Sequence, residues 1–175
     1  MIKYLAIGFI YLLGSLCMSN NTTTAKSDSF TVYIFLLEDC PISQYYIPKL
    51  NELHENYCND NLTIIGLFPN KLSTKNTIQV FENEYNIQFE LKTDRFQKIT
   101  QKYQATVTPE IIVVNTTKDA VVYQGRIDNT FHALGKRRTV TTTNELEEVL
   151  ISVQLGKEVK ISQTEAIGCL IQLVK

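Results

Sequence analysis

The stretch Phe30–Ser43, FTVYIFLLEDCPIS, decides how this chain is read. Phe30 to Leu37 is a near-continuous apolar run, suited to a central strand buried on both faces. Cys40-Pro41-Ile42-Ser43 follows and opens a helix-like segment, Ile42–Tyr57, with Ile42, Tyr46, Leu50, Leu53 and Tyr57 at helical spacing. Pro48 falls inside that segment and predicts a kink, because it removes one helical hydrogen bond and crowds the preceding turn. A cysteine on the first turn of a helix faces unpaired N–H groups and the positive end of the helix dipole, and both favour the reactive thiolate. Taken alone, the motif fits an inert core thiol equally well.

A second element raises its standing. Thr106-Val107-Thr108-Pro109-Glu110 leads into the strand-like run Ile111–Val114. Strand, Cys-Pro, helix and, much later, Thr-Pro and strand is an order that resembles the thioredoxin-like superfamily. There the proline is cis and lies against the active cysteine, which implies a cis Thr108–Pro109 bond here. Tyr123-Gln-Gly-Arg-Ile-Asp128, Gly135-Lys136 and the late Gly168-Cys169 resemble landmarks of a bacterial redoxin-type group related to the alkyl hydroperoxide reductase and thiol-specific antioxidant domains. The resemblance runs from about Phe30 to the C-terminus. It implies an α/β, thioredoxin-like fold with a central mixed sheet and helices on both faces.

The rest of the pattern agrees with one α/β domain. Leu62–Phe68 reads as a second buried strand, Thr74–Tyr85 as a helix and Gln88–Leu91 as a short strand. Arg95–Tyr103 reads as an amphipathic helix carrying Phe96, Ile99 and Tyr103. Ile111–Val114 and Ala120–Tyr123 read as an antiparallel hairpin. Asn144–Leu155 is predicted as the last helix, N-capped by Thr143 or Asn144 and stopped by Gly156. The domain organisation read from this is a signal peptide at residues 1–19, a linker at 20–29, a thioredoxin-like domain at 30–156 and a C-terminal extension at 157–175 outside the core.

Composition excludes several classes. The 175 residues carry 17 Lys and Arg against 18 Asp and Glu, a net charge of −1, and the short cluster Lys136-Arg137-Arg138 is no nucleic-acid footprint. Nucleic acid is therefore not expected as a partner. The two histidines and four cysteines are too dispersed for a metal set, so neither metal nor cofactor is expected. Lys3, the apolar run Tyr4–Leu16 and the polar residues after it describe an export signal, shorter than the roughly 20 residues of a comfortable membrane span. A periplasmic or extracellular location is expected. Cys17 is a candidate for lipid attachment to a membrane, though Leu16 departs from the small residue that lipoprotein signals place there; loss of Cys17 with the signal is the alternative.

Cys40 is the candidate nucleophile. Glu38 and Asp39 beside it oppose thiolate formation, while the helix N-terminus and Ser43 favour it. Ser43 stands where a dithiol oxidoreductase has its second cysteine, so an internal disulfide within the motif is excluded. Cys58 lies eighteen positions along a mostly helical segment, on the order of 27 Å away, against the roughly 7 Å between Cα atoms that a disulfide tolerates. Cys169 has no such restriction, because Gly156–Gly168 gives over about 40 Å of reach at roughly 3.3 Å per residue. The expected site is thus Cys40, Ser43, Pro109 and Cys169 for the chemistry, with Pro41 and Thr108 lining the substrate groove. The expected reaction is thiol–disulfide exchange with protein or small-molecule thiols and disulfides. Two alternatives stay open. One is peroxide reduction, for which the peroxidatic threonine position is occupied by Leu37 and only Arg126 offers a cation. The other is a redox-inactive binding module.

Overall fold

The computed structural model describes residues 28–174. The expected signal peptide, Cys17 and most of the expected linker lie outside the described residues. The elements, in chain order, are β1 (Phe30–Phe35), α1 (Pro41–Tyr57), β2 (Leu62–Phe68), α2 (Lys75–Tyr85), β3 (Glu90–Thr93), α3 (Lys98–Tyr103), β4 (Val107–Thr108), β5 (Glu110–Asn115), β6 (Ala120–Gly125), β7 (Phe131–Ala133), β8 (Lys136–Arg137), α4 (Glu145–Gln154) and β9 (Cys169–Leu170). Five strands make one mixed sheet in the order β3-β2-β1-β5-β6, with β1, β2 and β3 parallel and β5 and β6 antiparallel to their neighbours. This is the thioredoxin-like α/β architecture.

Strand periodicity sorts the core into two faces. Val32, Ile34, Ile64, Ile111 and Val113 meet α1, α2 and α4 on one side. Phe35, Leu67, Ile112 and Val114 meet Ile99 and Tyr103 of the α3 region on the other. Helix α1 runs unbroken through Pro48, which is exposed. Thr74 caps α2 by accepting the Thr77 N–H at 3.1 Å.

Three expectations are corrected. The third helix starts at Lys98 rather than Arg95, and Phe96 is 74% exposed instead of packed. The buried Asp94 carboxylate accepts the Thr100 N–H at 2.8 Å and the Thr100 hydroxyl at 2.7 Å, and Gln97 turns left-handed with φ 53°. The chain therefore turns through Arg95 and Phe96 before the helix can begin. Asn144 is the N-cap position of α4, yet its side chain makes no capping bond and accepts from Lys49 instead. Finally, the segment after Gly156 does not stand outside the core. Val159, Ile167 and Cys169 pack on the α1 side of the sheet, and Ile171 packs on the α3 side.

Candidate active site

Cys40 is the N-cap of α1, and its carbonyl accepts the Gln44 N–H at 3.0 Å, the helix's first bond. Pro41 follows at the first helical position, where a missing N–H costs nothing. The Thr108–Pro109 peptide bond is cis, and Cys40 Sγ donates to the Thr108 carbonyl at 3.1 Å. Two segments 68 residues apart in sequence thus meet at one sulfur.

A third segment completes the site. Strand β9 pairs antiparallel with β4, with Thr108 opposite Cys169 and Val107 opposite Leu170. The Ile171 N–H reaches the Thr106 carbonyl at 2.9 Å, and the Thr108 hydroxyl donates to the Cys169 carbonyl at 3.3 Å. This pairing sets the Cys169 and Cys40 Sγ atoms 2.8 Å apart, both as free thiols. Gly168 makes the approach possible. A Cβ there would lie 2.2 Å from the Thr108 carbonyl oxygen, so only glycine lets the tail lie this close. The tail is also held further on, where the buried Gln97 amide donates to the Gln172 carbonyl at 2.7 Å and accepts the Val174 N–H at 2.6 Å.

Thr108 is expected to line the groove that receives a partner. It is instead taken by the chain's own tail, and Cys40 is 0% exposed. Pro41 remains exposed, while Thr108 and Pro109 are buried.

The electrostatics separate the two thiols. Burial pushes the Cys40 thiol up, but hydrogen bonds from Cys169 and from the N–H and hydroxyl of Ser43 outweigh it and hold Cys40 below the ordinary thiol range. Cys169 is pushed up to about 11 by burial, by its hydrogen bond to Cys40 and by the repulsion a second anion would meet beside the Cys40 thiolate. Of the two, Cys40 is the one to ionise, with Cys169 as its hydrogen-bond donor. Ser43, fully buried, also accepts the Leu37 N–H at 3.4 Å and so ties the helix start to the end of the strand run.

Several neighbours escape a reading of the sequence. Glu38 was expected to oppose the thiolate, but its carboxylate is tied to the Ser73 hydroxyl at 2.6 Å and the Thr77 hydroxyl at 2.8 Å. Asp39 is exposed, where water screens it. Glu110, a buried carboxylate opening the apolar strand β5, accepts the N–H groups of Thr106 at 2.8 Å and Val107 at 3.3 Å. It thereby shapes the loop that carries Thr108 and Pro109. The one signal for it in the sequence is an acid directly before four consecutive aliphatic residues. Cys58 sits at the far end of α1 as its C-cap, a free thiol pushed up by burial. Arg126 pairs with the buried Glu145, whose other oxygen, Oε2, has no partner among the described residues. Among the described residues, no group of three or more His, Cys, Asp or Glu side chains could hold a metal ion.

The family model described as AhpC/TSA matches residues 20–128. That span includes Cys40 and Pro109 and ends before Cys169. No curated protein matches the chain. Among solved structures, an uncharacterized conserved protein from Geobacillus kaustophilus is similar at 22% identity and a TM-score of 0.72, covering 85% of this chain and 79% of its own. A hypothetical protein from Sinorhizobium meliloti is similar at 19% identity and the same TM-score, over 85% of this chain and 81% of its own. A putative thiol:disulfide interchange protein DsbE from Chlorobium tepidum aligns at 14% identity and a TM-score of 0.51, over 74% and 80% respectively. These likenesses establish the fold.

Proposed function

The chain belongs to the AhpC/TSA family, and from that premise we propose that it carries out thiol–disulfide exchange through a two-cysteine centre, Cys40 and Cys169. The observation that carries the reading is the 2.8 Å between the two Sγ atoms at the N-terminus of α1. A disulfide bond is about 2.05 Å long, so a small shift of either side chain joins them. Cys169 takes the part that Ser43 cannot play within the motif. Ser43 and the helix N-terminus stabilise the Cys40 thiolate, and Pro109 with Thr108 forms the wall against which the sulfurs meet.

In the reducing direction, the pair gives up two electrons and two protons as its Sγ–Sγ bond forms, and an external disulfide becomes two thiols. The oxidising direction is the reverse. The partners are protein or small-molecule thiols and disulfides. Lys3 and the apolar run Tyr4–Leu16 support export, which places the chemistry on the periplasmic or extracellular side, with Cys17 as a candidate membrane anchor.

Mild oxidation with a small disulfide, followed by peptide mapping without reduction, should give a Cys40–Cys169 linked peptide that disappears in Cys169→Ser. An insulin-reduction assay on the same preparations reads turnover. Failure to form the linked peptide would remove the proposal.

Family membership favours peroxide reduction as the second reading. There Cys40 thiolate would attack the peroxide to give a sulfenic acid and an alcohol or water, and Cys169 would condense with it, releasing water. Leu37 offers no hydrogen bond three residues before Cys40, and Arg126 is committed to Glu145. Peroxide consumption that is lost in Cys40→Ser, without insulin reduction, would select this reading. Partner capture without either activity would select the binding module.

A further inference from the structure

Resting on the two-cysteine reading, we propose that exchange with outside thiols is made at Cys169 of the tail, with Cys40 as the buried sulfur that is released and re-formed behind it. This inverts the roles the motif implies, where the helix-capping cysteine is the one met by the partner.

The geometry gives the reason. Thiolate attack on a disulfide runs in line with the bond that breaks, so the attacker approaches each sulfur from the side opposite its partner. Cys40 has none of its surface in solvent. It is enclosed by the α1 N-terminus, the Thr108 carbonyl at 3.1 Å and strand β9. An approach to Cys40 from the side opposite Cys169 would have to pass through the protein. Cys169 is only partly buried, so of the two cysteines it is the one with any surface in solvent.

Leaving-group chemistry acts in the same sense. Attack at Cys169 expels Cys40, the sulfur that Ser43 and the helix N-terminus stabilise as an anion. Attack at Cys40 would expel Cys169, whose burial opposes its anion and which has no comparable donors. Access and leaving-group stability select the same sulfur.

The steps balance as follows. With the pair oxidised, an external thiolate attacks Cys169 Sγ, a mixed disulfide forms on Cys169, the Sγ–Sγ bond breaks and its electron pair leaves on Cys40. A second external thiolate then attacks the partner's sulfur. Cys169 leaves as thiolate and takes a proton, and the two external thiols have become a disulfide. By reversibility, an external disulfide reduced by the protein passes through the same mixed disulfide on Cys169, which the Cys40 thiolate resolves. Because the tail holds its place through Gly168, Gln97 and β4, the docked strand is itself the surface on which partners are received.

The test uses the full chain with the Cys40–Cys169 pair first oxidised and shown to be linked. The linked protein is mixed with glutathione in one arm and with a cysteine-containing peptide in the other, quenched at early times by acid, alkylated and mapped without reduction. The first adduct is expected on Cys169, with the alkyl label on Cys40, in both arms. Because the lower-pKa thiol leaves faster and Cys40 is enclosed, the Cys169 adduct is expected in excess over the Cys40 adduct at the earliest times. The faster arm identifies whether small or polypeptide thiols are preferred. A first adduct on Cys40 in either arm overturns the proposal while leaving the two-cysteine reading intact. A preparation that never forms the linked peptide fails that reading instead. As a second measurement, Cys40→Ser exposed to glutathione disulfide should still be modified at Cys169, whereas Cys169→Ser should be modified at the enclosed Cys40 more slowly. The opposite order would overturn the proposal.

Discussion

Helix α1 begins at one cysteine and ends at another, and the two ends are built for opposite purposes. Cys40 caps the N-terminus, where free N–H groups and the helix dipole favour negative charge. Cys58 caps the C-terminus, where the dipole disfavours it and burial pushes the thiol up. Cys40 is the more deeply buried of the two, and burial alone would make it the less acidic. Its lowered pKa comes from donors aimed at the sulfur, supplied by Cys169 and Ser43. At Cys58 the one bond acting in that direction comes from the Ile64 backbone, and it does not overcome desolvation. The contrast teaches that enclosure silences a thiol only where the enclosing groups leave its anion without donors.

The comparison can be broken most directly by removing each sulfur. Cys40→Ser should reduce insulin reduction to background and abolish the linked peptide, while Cys58→Ser leaves both unchanged. Equal loss from the two would end the distinction.

A smaller effect is expected from loosening the N-terminal end. In Gly168→Ala the added methyl meets the Thr108 carbonyl at 2.2 Å, and the tail must move. Overpacking of this kind costs about 1–3 kcal/mol, which urea unfolding should read. Alkylation of Cys40 should rise while that of Cys58 stays constant. Glu110→Ala should have a comparable cost of about 1.5–3 kcal/mol, since it strands the N–H groups of Thr106 and Val107.

The pH dependence sharpens the contrast further. Alkylation follows the thiolate, which is present above each group's pKa. The Cys40 profile should therefore have its midpoint below the ordinary thiol range and the Cys58 profile above it. Cys169→Ala should move the Cys40 midpoint upward, because burial by the tail backbone persists while the Cys169 hydrogen bond is lost. A downward movement would contradict the assigned donor. The smallest shift, also upward, is expected for Ser43→Ala, which removes a hydroxyl and keeps the Ser43 N–H. Cys58 should not respond to either change.

What could be read from the sequence was whatever is written locally. Phe30–Leu37, Cys40-Pro41 and Thr108-Pro109 each carry their meaning within a few residues, and β1, α1 and the loop before β5 stand where those residues place them. The hairpin of β5 and β6 was legible for the same reason. Phe96 misled because helical spacing alone cannot see Asp94, which starts the helix later by holding Thr100. The tail was illegible as structure. Lys157–Lys175 has neither a helical nor a strand period, since its contacts are short ones spread over β6, β4 and Gln97. Cys169 could be reached by chain length and by the family landmark Gly168-Cys169, but not its burial of Cys40. That burial depends on Gly168, whose need is spatial and shows only when the Thr108 carbonyl is in view.

The route of the tail has a consequence for how these molecules behave in company. Before reaching β4, it runs beside the outer strand β6, with the Gln124 N–H given to the Ser162 carbonyl at 2.9 Å and the Thr164 N–H to the Gln124 carbonyl at 3.0 Å. Gly125, at φ 150°, leaves room for Thr164 where a Cβ would lie 2.2 Å from its hydroxyl oxygen. One segment thus takes up the outward backbone groups of Gln124 in β6 and pairs with β4. Uncovered strand borders template pairing with other chains, and proteins that keep them bare are prone to aggregate. A chain severed after Gly156 would bare both borders together, and self-association through added strands would follow the cut.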